Sequence, residues 1–208
     1  MLEKGIRNAI ERATVTFMKS GGRGILVPGN LVITAAHCIG FSCEGEMALG
    51  DSYVEGIKTG QGDLRATPWA IEPVSDIAVV GSLDNQTFPS DADAFMKFSE
   101  KTDPVQLCQI QFESFEGFSV WVYTHLGTWM HGTATQYGDD SHTLWVETKE
   151  QIEPGTSGSP MVSESSGLVA IVSNTSEMQG EQAQSNGMHP RPHLTLPVWI
   201  LRRMLNPD

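Results

Sequence analysis

Three short stretches of the sequence carry side chains whose types suit one kind of chemistry. PGTSGSP, residues 154–160, places Ser157 among glycines and prolines, TAAHC contains His37, and SDIAVV contains Asp76. Acyl transfer by a serine needs a nucleophile held in the open, a base within hydrogen-bond reach and an acid that orients the base. The sequence offers one residue for each role.

The serine-containing turn also offers the donors that an oxyanion requires. Gly155 can adopt backbone angles that other residues avoid, so we predict that the amides of Gly155 and Ser157 point at one spot and form an oxyanion hole. We expect Gly158 to leave room for a substrate backbone. Pro154 and Pro160 restrict the turn in the unfolded chain.

Each of these residues also has a simpler interpretation when it is taken alone. Most serines in Gly-x-Ser-Gly turns only cap or turn the chain, and His37 ends the apolar run LVITAAH, where a half-buried histidine is common. Asp76 precedes IAVV and could cap a turn. The three stretches therefore support a catalytic function only when they are considered together.

Short β-rich runs must position these residues. Runs such as GILVPG, LVITAAHC, IAVVGS, VQLCQI, FSVWVYT, TLWVET and GLVAIVS are separated by turn formers, which indicates an all-β barrel or sandwich. Apolar residues at helical spacing predict a helix over residues 2–12, and PVWILRRML predicts a C-terminal helix. The polar segment 82–104 is predicted to be a linker between two β-rich halves, and 174–193 a surface loop.

Composition and charge exclude several classes of function. A formal charge of -12 repels phosphate backbones and anionic lipids, so neither nucleic acid nor a membrane is an expected partner. The N-terminal residues do not resemble a signal peptide and no apolar run could span a bilayer, so a cytoplasmic location is expected. His37, Cys38 and Cys43 lack a convincing fourth ligand for zinc, so neither a metal nor another cofactor is expected.

The three stretches together resemble the motifs of chymotrypsin-fold (trypsin-like) serine peptidases. In that family the histidine motif is typically TAAHC, the aspartate motif DIA and the serine motif GxSGxP, and this sequence contains them in the same order. IEPGTSGSP resembles INPGNSGGP of HtrA-type proteases and PGTSGSP of flavivirus proteases, and LTLPVWILRRML resembles the end of an HtrA-type protease domain. The motifs therefore resemble most the HtrA-type and viral branch, and no PDZ domain is expected.

Two differences from the digestive enzymes of the family are consistent with that branch. Thr156 stands where those enzymes carry the aspartate that binds a newly cleaved N-terminus, so zymogen activation is not expected. Gly22 lies where the disulfide partner of Cys38 would be, so Cys38 is expected to be a free thiol. The odd number of cysteines also fits a reducing compartment.

The resemblance implies a fold and a mechanism. It implies two six-stranded antiparallel β-barrels with a short N-terminal helix and a C-terminal helix, in a single peptidase domain over residues 1–208. The expected parts are the first barrel (13–90), a linker (91–104), the second barrel (105–195) and the C-terminal helix (196–206). Ser157 would attack the scissile carbonyl, His37 would accept its proton and Asp76 would orient the imidazole.

Cleavage specificity is the least defined expectation. The resemblance places the pocket wall in AIVSNTS, with Val172 where glutamate-specific relatives carry a histidine and Gln151 where trypsin has its aspartate. Neither acidic nor basic side chains are therefore favoured, and cleavage after small or apolar residues is expected. The remaining pocket candidates are Ser173, Thr175 and His193.

Two other functions stay open. The chain could be a catalytically silent module that keeps the fold and binds a protein partner, because the motifs alone do not prove a formed oxyanion hole. An esterase with the same triad is also chemically allowed. An α/β-hydrolase is excluded, since its triad follows the order Ser, Asp, His. The expected partner is a protein or peptide substrate, and a regulatory partner remains unknown.

Overall fold

The structure is a computed structural model of the chain. It describes residues 2–40, 53–72, 76–108, 117–136, 143–150, 152–164, 167–173 and 191–195. These residues form two sheets of six strands, two α-helices and one 3₁₀ turn. The predicted C-terminal helix over 196–206 lies outside the described residues. Within the described part of the chain, neither helix is long and apolar enough to cross a membrane.

The first sheet closes into a six-stranded antiparallel barrel in the order β1-β2-β3-β6-β5-β4. Its strands are β1 Thr14–Phe17, β2 Arg23–Val27, β3 Leu31–Ala35, β4 Val54–Thr59, β5 Gly62–Glu72 and β6 Ile77–Gly81. Most residues of β2, β3 and β6 are buried Val, Ile, Leu or Ala. Such β-branched and aliphatic residues suit strands packed on the core. The first predicted barrel is confirmed.

The second sheet is also antiparallel, and its pairing order is β10-β11-β12-β9-β8-β7. Its strands are β7 Phe118–Tyr123, β8 Trp129–Gln136, β9 Thr143–Thr148, β10 Pro160–Ser163, β11 Leu168–Ile171 and β12 Arg191–Thr195. β10 pairs with β7 as well as with β11. Leu168 and Ile171 of β11 belong to the apolar cluster of the first barrel, so the two sheets share part of their core.

Two predictions about the second half were wrong in detail. Residues 191–193 of the predicted loop 174–193 begin β12, which pairs with β9 through the backbone and so does not need an apolar sequence. The run VQLCQI, residues 105–110, was predicted as a strand, but among its described residues only Leu107 forms an isolated bridge, to Leu168. The remainder of the predicted loop, 174–190, lies outside the described residues.

The predicted N-terminal helix is confirmed as α1, Lys4–Ala13. Ile10 is buried in the core of the first barrel, and Ile6 packs against that core. The carboxylate of Glu11 accepts a hydrogen bond of 2.8 Å from the indole of Trp129 on β8. Because Trp129 belongs to the second sheet, α1 contacts both halves of the molecule.

A second helix, α2, runs from Pro89 to Glu100 inside the segment predicted to be a linker. Phe95 and Phe98 are at most 1% exposed and contact each other edge to face. Asp91 in the first turn lies 3.1 Å from the guanidinium of Arg65 on β5. The polar composition concealed the helix, because its buried face consists of only a few residues, namely Ala92, Phe95, Phe98 and Ser99.

Replacing Phe98 tests whether α2 is part of the folded core. Phe98→Ala should lower the free energy of unfolding by about 3–5 kcal/mol, because it leaves a cavity where a buried ring was packed. Met96→Ala on the exposed face of α2 is the control, and its effect should stay within about 0.5 kcal/mol. Urea unfolding measures both values. Equal, small effects would mean that α2 does not contribute to the core.

Candidate active site

The register of two strands brings His37 and Asp76 together. His37 lies in the 3₁₀ turn Ala36–Ile39 that directly follows β3, and Asp76 directly precedes β6. β3 and β6 are antiparallel neighbours, and Ala35 at the end of β3 pairs with Ile77 at the start of β6. The two side chains must therefore emerge at the same edge of the barrel.

The Asp76 carboxylate accepts hydrogen bonds from three groups. The Nδ1–H of His37 lies 2.8 Å from Oδ2 and 3.0 Å from Oδ1, and the His37 backbone amide donates to Oδ1 at 3.0 Å. The hydroxyl of Ser173, which follows β11 of the second sheet, donates to Oδ2 at 2.5 Å. Asp76 has a φ of 51°, a conformation that few residues other than glycine adopt. The ring of His37 is thus fixed with Nε2 directed away from Asp76.

These contacts change the protonation of both residues. The hydrogen bond to Asp76, with a further contribution from Cys38, raises the pKa of His37 above its ordinary value. Burial raises the pKa of Asp76, but the hydrogen bonds from His37 and Ser173 outweigh burial and leave that pKa below its ordinary value. Asp76 is therefore ionised at neutral pH and favours a charged imidazole.

The turn that carries Ser157 is held by backbone hydrogen bonds from both sheets. The Ser157 carbonyl accepts from the amide of Arg23 on β2 at 2.8 Å, and the Gly158 amide donates to Val172 at 2.6 Å. Gly155 and Gly158 have φ values of 89° and 76°, which favour glycine. The turn therefore has the sharp geometry that its glycines predicted.

The role expected for Gly158 needs correction. A Cβ at this position would lie 1.9 Å from the carbonyl oxygen of Arg23 and 2.7 Å from the hydroxyl of Thr34. The space beside Gly158 is occupied by the first barrel and not left open for a substrate backbone. Glycine is required here because the two sheets approach each other at this point.

The two amides predicted to bind an oxyanion have no other hydrogen-bond partner among the described residues. Within the described residues, neither the Gly155 amide nor the Ser157 amide donates a hydrogen bond. The intervening Thr156 is fully buried, and its amide donates to Glu153 at 3.2 Å. Within the described part of the chain, the turn is therefore held by hydrogen bonds of neighbouring groups and not by the two predicted donors.

Among the described residues, hydrogen bonds connect the turn of Ser157 to the Asp76–His37 pair indirectly, through Val172 and Ser173 of the second half. Gly158 binds Val172, and the next residue, Ser173, binds the same carboxylate as His37. Ser157 and His37 themselves, both described, form no hydrogen bond with each other, and Nε2 of His37 lies 3.7 Å from the sulfur of Cys38. Catalytic hydrogen bonds are often long in unliganded enzymes and shorten when the substrate binds.

Cys38 is a free thiol, as expected, and it is buried. A Cβ at Gly22 would lie 2.2 Å from the Cys38 sulfur, so the two positions face each other. Glycine at position 22 provides the space that the thiol fills. This contact places the sulfur beside the imidazole of His37.

The structure locates only some of the predicted pocket residues. Val172 is buried beside the turn, and the hydroxyl of Ser173 points to Asp76. The backbone of His193 pairs with Leu144, and its side chain is not described. Gln151 and Thr175 lie outside the described residues. Sequence reasoning missed the contacts of Arg23 with the turn, which join residues far apart in the chain and have no local motif.

The fold is similar to that of solved proteases. Rv3671c from M. tuberculosis H37Rv, as a serine-to-alanine mutant in an inactive form, is 15% identical with a TM-score of 0.59, covering 93% of this chain and 86% of that chain. The active form of the Rv3671c protease is 16% identical with a TM-score of 0.56, over 91% of this chain and 78% of that chain. A human pathogenic astrovirus serine protease is 16% identical with a TM-score of 0.54, over 90% and 91%.

At such low identities these structures establish a common fold only. No curated protein matches the chain. The family model described as a trypsin-like peptidase domain matches residues 22–171, which include the predicted histidine, aspartate and serine motifs. Because that match covers more than half of the sequence, the chain belongs to the trypsin-like peptidase domain family.

Proposed function

We propose that the protein is a serine endopeptidase of the chymotrypsin type, with Ser157 as nucleophile, His37 as general base and Asp76 as the orienting acid. The observation that carries the proposal is the hydrogen-bonded pair of Asp76 and His37 at one edge of the first barrel. Ser173 donates to Asp76, and its neighbour Val172 accepts from the Gly158 amide in the turn that bears Ser157. The family membership makes peptide or protein substrates the expected ligands.

The proposed architecture is a single peptidase domain of two closed barrels, 13–90 and 105–195, within residues 1–208. The antiparallel pairings of β7 to β12, with β10 contacting both β7 and β11, support the second barrel. The linker between them would consist of residues 91–104, which contain most of α2.

In the proposed mechanism, the Ser157 oxygen attacks the carbonyl carbon of the scissile bond while Nε2 of His37 accepts the hydroxyl proton. The tetrahedral oxyanion is bound by the amides of Gly155 and Ser157. His37 then protonates the leaving amine, which leaves an acyl-enzyme. A water molecule, deprotonated by His37, attacks the acyl carbon and releases the carboxylic acid and Ser157.

Labelling with a fluorophosphonate probe tests the nucleophile. The wild type should form a covalent adduct, and Ser157→Ala should abolish it because the attacking oxygen is removed. The control is Ser159→Ala in the same turn: the Ser159 hydroxyl is buried without a hydrogen-bond partner among the described residues, so its loss should leave labelling intact. Labelling that persists in Ser157→Ala would exclude Ser157 as the nucleophile.

The dependence of activity on pH tests the Asp76–His37 pair. Because Asp76 raises the pKa of His37, activity should rise with pH through a midpoint above the usual value of about 6.5. Asp76→Asn removes the negative charge, so it should move that midpoint to lower pH and reduce kcat about 10,000-fold. The rate of probe labelling across pH measures the midpoint. An unchanged midpoint in Asp76→Asn would contradict the proposed pairing.

We further propose that the chain belongs to the HtrA-type and viral branch and cleaves after small or apolar residues. Val172 and Gln151 are both uncharged, so neither would attract an acidic or basic side chain, and this supports the proposed specificity. A peptide-library cleavage profile should show small or aliphatic residues before the scissile bond. Strong preference for lysine or arginine would refute the specificity without affecting the proposed mechanism.

One observation favours a second candidate function, a catalytically silent module that binds a protein partner. The side chains of His37 and Ser157 form no hydrogen bond with each other, and the Cys38 sulfur lies 3.7 Å from the nitrogen that would accept the proton. In such a module the wild type would remain unlabelled by the fluorophosphonate probe while keeping a cooperative unfolding transition. Labelling of the wild type would exclude this alternative.

A further inference from the structure

His125 packs against the turn that carries the predicted oxyanion donors. It lies just after β7, in the connection to β8, and its ring faces Gly155. A Cβ built on Gly155 would lie 3.5 Å from Cγ of His125, which is ordinary contact distance. Because Gly155 has a φ of 89° and no side chain, its own conformation is weakly restricted. The imidazole therefore lies about one methyl group away from Gly155 and limits how far this part of the turn can move toward it.

Hydrogen bonds also join His125 to the turn and fix its orientation. The backbone amide of His125 donates to the Thr156 hydroxyl at 3.4 Å, and Nδ1 of the ring lies 3.1 Å from the same oxygen. Nε2 lies 3.8 Å from the carboxylate of Glu153. His125 thus contacts Glu153 and Thr156, which lie on either side of Gly155 in the chain, and Thr156 is the residue between the two predicted donors.

Arg23 of the first barrel holds His125 in this position. Its guanidinium donates a 2.7 Å hydrogen bond to the His125 carbonyl and lies 4.8 Å from the centroid of the Tyr123 ring. The backbone amide of the same arginine donates to the Ser157 carbonyl. One residue of β2 therefore fixes both His125 and the far end of the turn.

We propose that His125 is a positioning residue that holds the Gly155 and Ser157 amides in the orientation needed to bind the oxyanion. The inference rests on the proposed function and adds a residue that none of the three sequence motifs contains. Donors aimed in advance at the developing charge account for a large part of catalysis in such sites. Replacing His125 should therefore slow nucleophilic attack by Ser157 while leaving most of the free energy of unfolding unchanged.

The experiment measures the second-order rate of labelling by a fluorophosphonate probe, together with the thermal midpoint of unfolding. His125→Ala should reduce the labelling rate by about tenfold to hundredfold, less than the roughly hundredfold to thousandfold loss seen when an oxyanion donor is removed. His125→Asn should recover part of that loss, because its amide can still reach the Thr156 hydroxyl. His131→Ala, on the exposed part of β8, is the control and should label at the wild-type rate.

A second pair of variants tests the coupling of His125 to the turn. Thr156→Val keeps the shape of the side chain but removes the hydroxyl, so it should also slow labelling. The double variant with His125→Ala should be little slower than the slower single variant, because both changes remove one interaction.

Four results would overturn the proposal. They are a wild-type labelling rate in His125→Ala, equal losses in His125→Ala and His125→Asn, additive effects in the double variant, and a labelling loss that only follows the fraction of unfolded protein. Failure of the wild type to label at all is a separate result, since it contradicts the proposed function itself.

Discussion

The carboxylate of Asp76 is the interaction on which the site depends. A partly buried charge is costly unless hydrogen bonds satisfy it, and Asp76 accepts them from the ring and amide of His37 and from Ser173. The first two donors belong to the first barrel and the third to the second half. The orientation of the imidazole and the joining of the two sheets are therefore parts of one hydrogen-bonded arrangement.

A second constraint is steric and lies at Gly158. The carbonyl oxygen of Arg23 fills the space that a side chain at this position would need. The same carbonyl accepts the Thr34 hydroxyl, three residues before His37. The backbone of β2 and the Thr34 side chain of β3 thus both lie directly beside the turn of Ser157. Glycine at 158 lets the two sheets approach closely enough for the amide of Arg23 to bind the Ser157 carbonyl.

The sequence predicted the parts whose signals are local. The buried strands carry runs of Val and Ile, and short motifs surround His37, Asp76 and Ser157, so these features could be recognised. Helix α2 was missed because its buried face depends on a few side chains in a polar segment, and β12 was missed because backbone pairing left no apolar pattern. The contact of Arg23 with His125 joins residues 102 positions apart, and only the folded chain reveals it.

Among the described residues, few polar contacts join the two parts of the candidate site. The Asp76–His37 pair and the turn of Ser157 are each held by their own hydrogen bonds, but no hydrogen bond joins His37 directly to Ser157. The described polar contacts near the site that cross between the sheets come from Arg23 and Ser173. A hydrogen bond contributes about 0.5–1.5 kcal/mol net, and about 1.5–3 kcal/mol when one group is charged. The two halves also share apolar packing through Leu168 and Ile171 of β11, so the core holds them together and the directional polar contacts set their relative orientation at the candidate site.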